Sequence, residues 1–177
     1  MIISRLLNKD ENNVGIEKPH ALYSDDSSPE IAPELKTETH RLALDHWHEI
    51  KGDYPLPSRA DINLNRLGPI LTHLVLLDVR YDPLDFIYRI IGDRVLSNFT
   101  ENYTGRTLTD IPGKGPGSKV YATLENVVTT KVPCIQGVPY VGPNRDFISI
   151  ESLALPLASD HETVDKIIII VEFVGRA

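Results

Sequence analysis

The hydrophobic positions change period along the chain, and each change marks an element. Across residues 34–51, Leu35, Leu42, Trp47 and Ile50 recur at helical spacing, with Ala43 and Leu44 beside them. Gly52 follows where helices commonly end. Tyr54-Pro-Leu-Pro-Ser-Arg predicts an extended connector, because each proline biases its predecessor away from helix. A short helix is expected over 61–68, capped by Asp61 or Asn63. Two apolar runs, 74–80 and 86–91, are joined by Tyr81-Asp82-Pro83-Leu84 and predict a hairpin. Short helical pieces are expected over 93–99 and 104–110, then a flexible loop at Pro112-Gly-Lys-Gly-Pro-Gly. Residues 118–131 predict a helix with Ser118 as cap and Val120, Tyr121, Leu124, Val127 and Val128 as its apolar face. Strands are expected over 132–141, 147–157 and 166–174, with turns at 143–144 and 159–162.

The last strand is the most telling. Ile167-Ile-Ile-Ile-Val does not alternate, so both of its faces must be covered, and it is expected at the centre of the sheet. The other strands are shorter or carry Pro133, Pro139 and Pro156, which suits positions near an edge or a bulge. Trp47 should be buried, because its helix must cover the outer face of the sheet.

The element order is a helix, two strands, short helices, a longer helix and three strands. That order resembles the PAS fold. Trp47-His-Glu-Ile-Lys-Gly, Pro57-Ser-Arg-Ala-Asp-Ile, Leu76-Leu-Asp-Val, Tyr88-Arg-Ile-Ile-Gly-Asp, Thr104-Gly-Arg and Leu155-Pro-Leu strengthen the match. In order and spacing they resemble a family of stand-alone PAS-type domains common in alphaproteobacteria, a bacterial sensory family. The resemblance runs from about Leu42 to Phe173. It implies an α+β fold with a five-stranded antiparallel sheet in the order 2-1-5-4-3, short helices on one face and an N-terminal helix. It also implies a sensory or regulatory role in signal transduction rather than an enzyme. The domain would bind a small molecule or a signalling protein and relay a signal by protein contact. A structural dimerisation or adaptor module with a filled core is the alternative, and an enzyme the last.

Charge separates the two ends of the chain. Residues 1–35 carry Arg5, Lys9 and Lys18 against seven acidic side chains, a net of −4 within a total of −7. Such a segment cannot bury enough apolar surface to offset its ordering entropy. It is expected to be a loosely ordered extension, with a short helix at residues 2–7 and the folded domain spanning 36–177. The acidic balance, at a pI near 5.3, argues against nucleic acid or an anionic membrane as the main partner. A single cysteine fits a reducing compartment, and the N-terminal apolar run is too short for a signal peptide. The longest apolar run is too short to span a bilayer, so the expected location is cytoplasmic.

Candidate chemistry is sparse. His46 and His48 flank Trp47 at a spacing that cannot chelate one metal, and a solvated helix surface is the expected setting. His20, His40 and His161 show no ligand pattern, and His73 precedes the first strand. No metal site is expected. Cys134, with no base in view, reads as a packing residue. Arg89 lies inside an apolar strand on the face of Ile87 and Ile91, opposite Phe86, Tyr88 and Ile90. It needs a partner there, either Asp78 or Glu151 in an ion pair, or a ligand. Tyr103, Tyr121 and Tyr140 are candidates to line a pocket between sheet and helices, with Arg89 and Cys134 as further candidate ligand contacts.

The resemblance bears on cofactors and assembly too. Haem-binding relatives often carry an axial histidine on the helix before the third strand, and residues 118–131 contain none. His73 is the remaining alternative. The Asn-Cys-Arg-Phe-Leu-Gln motif of flavin photoreceptors is absent, so no cofactor is expected. PAS-like domains often pair through the helix before the sheet. A homodimer is therefore expected, with Leu35, Ala43 and Leu44 at its interface.

Overall fold

The structure is a computed structural model and describes residues 35–175. The acidic extension (apart from Leu35) and its short helix lie outside the described residues. Helix α1 spans Glu38–Lys51, a 3-10 turn Arg59–Asp61, α2 Leu64–Leu67 and a second 3-10 turn Gly68–His73. Strands β1 (Leu74–Arg80) and β2 (Asp85–Ile91) form the first hairpin. Helices α3 (Asp93–Leu96) and α4 (Lys119–Thr130) follow, then β3 (Cys134–Pro139), β4 (Phe147–Leu157) and β5 (Lys166–Gly175). The sheet is antiparallel in the order β2-β1-β5-β4-β3, as the sequence predicts. β5 is central, and Ile167, Ile168 and Ile170 are all buried.

Paired residues share a face of the sheet, so the register sorts the core. The inner face carries Phe86 and Tyr88 of β2, Leu77 of β1, Ile167 and Phe173 of β5, and Cys134 and Gln136 of β3. Helix α4 closes over it: Tyr121 meets Phe86 edge-on, and Gln136 donates to the Lys119 carbonyl at 2.9 Å. The outer face carries Leu76, Ile168, Ile170, Leu153 and Leu155, and α1 covers it.

Two side chains fix α1 to that face. Trp47 is 3% exposed and its Nε1–H donates to the Pro156 carbonyl at 2.8 Å. β3 stops opposite Ala154, so Pro156 lies beyond it on a free edge of β4. A proline there forfeits no ladder bond, and the tryptophan satisfies its carbonyl. His40 is fully buried, with Nε2 3.1 Å from the Ile170 carbonyl oxygen. His73, at the end of the second 3-10 turn where β1 begins, ties that turn to β5 in the same way, its Nδ1 lying 3.1 Å from the Val171 carbonyl oxygen.

Four expectations need correction. The helix starts at Glu38 rather than residue 34, because the Thr37 side chain caps it by accepting from the His40 N–H. The stretch 61–68 splits: Ser58 caps the 3-10 turn and Asn63 caps α2. Residues 104–110 form no helix. Gly105 takes φ +85 and the chain runs along the free edge of β2, with Tyr88 N–H donating to Arg106 O and Leu108 N–H to Phe86 O. Three threonines at 104, 107 and 109 favour that extended path over helix. Finally, His46 is not on a solvated surface; it is buried, and Nε2 accepts from the Asn63 N–H at 3.1 Å.

Candidate functional site

The five sequence-predicted contacts do not form one site. Arg89 sits at a bulge: Leu76 faces Ile90 and Leu77 faces Tyr88, leaving Arg89 as the extra residue of β2. The bulge breaks the alternation expected for this strand. Ile90 turns outward instead of joining Phe86 and Tyr88, and is 47% exposed. Arg89 Nε donates to Asp78, which also accepts from Lys166 at 3.0 Å. Of the two readings of Arg89, the structure shows the ion pair. Burial works to raise the Asp78 carboxyl, but the hydrogen bonds and charges of Lys166 and Arg89 outweigh it and hold the group below its ordinary value.

The three tyrosines share the inner side but are spread along it. Tyr121 donates to the Leu84 carbonyl at 2.6 Å, and Tyr140 to the Asn98 carbonyl at 3.0 Å. The Tyr140 ring packs edge-on against Phe147 and Phe173. A side chain at Gly142 would bring its Cβ within 2.2 Å of the Tyr140 hydroxyl, so this turn needs glycine. Cys134 is buried among apolar neighbours, which pushes its thiol above the ordinary value. Ala43 is 3% exposed in the core of its own chain and offers no surface to a second one, whereas Leu35 and Leu44 are half-buried.

Tyr103 belongs to a tighter cluster. Its ring centroid lies 5.8 Å from that of Tyr88 and 5.4 Å from that of Phe99. The Lys114 ammonium stands 5.6 Å from the centroid of Phe99 and 5.8 Å from that of Tyr103. The Arg106 guanidinium approaches the same tyrosine at 5.5 Å. Arg106 is paired with Glu101 at 2.9 Å, but Lys114 has no ion pair among the described residues. Burial holds its ammonium below the ordinary lysine value. Ring faces are its substitute for a carboxylate. Tyr88, 5% exposed, makes no side-chain hydrogen bond among the described residues, and burial first, then Tyr103, raises its hydroxyl. A hydroxyl without a hydrogen bond and a half-buried cation without an ion pair thus belong to residues that pack on the same two rings, Phe99 and Tyr103. An acceptor-bearing molecule would satisfy both.

Sequence reasoning missed Lys114, Tyr88 and Phe99 as a group. The signal was present in Lys114, the one cation in a glycine- and proline-rich run that reads as a mere connector. Two hollows lie elsewhere. One of 540 Å³ is framed by the β3–β4 connection from Tyr140 to Ile148, and one of 380 Å³ by the ends of α1 and α4. Among the described residues no helix is long and apolar enough to cross a membrane.

Comparison with known proteins adds one match. A family model described as a PAS domain matches residues 35–171. No curated protein matches the chain.

Proposed function

The chain belongs to the PAS domain family, and on that premise we propose that it is a sensory domain taking a small, acceptor-bearing molecule against Tyr88 and Lys114. One observation carries the reading: a half-buried ammonium without a carboxylate, held on the rings of Phe99 and Tyr103, beside Tyr88, whose ring is buried and whose hydroxyl makes no hydrogen bond among the described residues. The molecule accepts from the hydroxyl and draws the ammonium off the rings. The turn that carries Lys114 moves with it, and that displacement is the signal. It passes to a partner by protein contact, in the cytoplasm, with no catalytic step. Two copies of the chain pair through α1 and the residues just before it, where Leu44 and Leu35 are only half-buried and keep some apolar surface exposed.

The test is mass spectrometry of small molecules released when the purified chain is denatured. Wild type should release one species that Lys114→Met protein lacks. Release of the same species from both would place the ligand elsewhere. The adaptor reading has its own support: the hydroxyls of Tyr121 and Tyr140 are already bonded to backbone carbonyls, so much of the inner face is filled. A chain that releases nothing, yet still pairs, fits that reading.

A further inference from the structure

The 380 Å³ groove lies where the C-terminal end of α1 meets the end of α4 and the start of β3. Its volume falls in the lower part of the range of small-molecule pockets, roughly 300–1,000 Å³. Trp47, Pro55, Val132 and Pro133 give it apolar walls, and Lys51 and Lys131 stand among them. Neither lysine has an ion pair among the described residues. Lys36 pairs with Glu151 and Lys166 with Asp78, whereas Lys114 lies on aromatic rings and Lys119 donates to the Gly137 carbonyl. Lys131 also holds φ +62 at the end of α4, a left-handed position that glycine would fill without strain. The negative ends of two helix dipoles account for a cation at each terminus. They do not account for the apolar walls between the cations.

We propose that this groove binds a small amphipathic monoanion, its apolar body against Trp47 and Pro133 and its carboxylate between Lys51 and Lys131. The groove shares no residue with the Tyr88–Lys114 cluster, so either site can fail alone. Octanoate is the probe, titrated into the full-length chain. Trp47 is the single tryptophan and lines the groove, so its emission reports occupancy directly. Octanoate should give a saturable change. The Lys51→Gln/Lys131→Gln double variant should weaken binding at least about tenfold, the loss of two charge-assisted contacts. Lys119→Gln, on α4 but outside the groove, should bind as wild type. Octanol, with the same body and no charge, should bind at least about tenfold more weakly than octanoate. Equal binding by the double variant, or by octanol, overturns the proposal. So does an emission that octanoate leaves unchanged, the result expected if residues 1–34 fill the groove themselves.

Discussion

Removing Trp47 tests how the N-terminal helix is held. The ring is 3% exposed, and an indole of this kind buries about 200 Å². At about 25 cal/mol per Å² that is about 5 kcal/mol of transfer energy. The bond to Pro156 O adds about 1 kcal/mol, because truncation leaves a carbonyl on the β4 edge without its partner. One side of the ring borders the 380 Å³ groove, so solvent relaxes into part of the vacated space and lowers the cost. Trp47→Ala should therefore destabilise the fold by about 3–5 kcal/mol. Trp47→Phe keeps most of the ring and loses the N–H, and should cost about 1–2 kcal/mol. The assay is urea unfolding followed by far-ultraviolet circular dichroism, since the variants remove the only tryptophan fluorophore. The order of the two losses matters as much as their size. A Trp47→Ala loss below about 1 kcal/mol would mean that α1 stands free of the sheet, and the reasoning fails.

Three further outcomes follow from the same contacts. Burial holds His40 below its ordinary value, against the opposing pull of Ile170 O, Glu172 and Glu151, while the charge of His73 adds to the lowering. The unfolded chain therefore binds a proton that the folded chain refuses. Stability should fall as pH drops below about 6.5, and His40→Gln should flatten that dependence in urea midpoints measured at several pH values. Lys114→Met removes a half-buried charge but keeps the contact with Phe99 and Tyr103, so its melting temperature should be no lower than wild type while ligand retention is lost; a clear drop would make Lys114 a structural residue. Light scattering should give about twice the monomer mass for wild type, and Leu44→Glu should give a folded monomer; a wild type that stays monomeric at all concentrations refutes pairing through α1.

Periodicity carried most of the fold because the sheet buries both faces. An uninterrupted run of isoleucines has only one place to go, and β5 is there. The errors fell where local contacts compete with pattern. Residues 104–110 lie along β2 because that edge offers unpaired backbone groups, a tertiary fact that no local window contains. The bulge at Arg89 reverses the side on which Ile90 lies, and one extra residue in a strand leaves no mark in composition. The candidate site was harder still. Its tyrosines were visible as aromatics, but hydroxyls already bonded to backbone cannot be told from free ones before the chain is folded. Lys114 was hidden by its glycine-rich surroundings. The burial of His40 and His46 was equally hidden: their partners are backbone groups of Ile170 and Asn63, which carry no side-chain signature.

The central claim is that Tyr88 and Lys114 await a ligand acceptor. A crystal structure of the chain as purified from its native host tests it most directly, through the electron density between Tyr88, Phe99, Tyr103 and Lys114. The account predicts density for a small molecule there, with an acceptor atom about 2.6–3.0 Å from the Tyr88 hydroxyl and the lysine turned toward it. Rings packed against one another, with Lys114 still seated on Phe99 and Tyr103 and no further density, would contradict it.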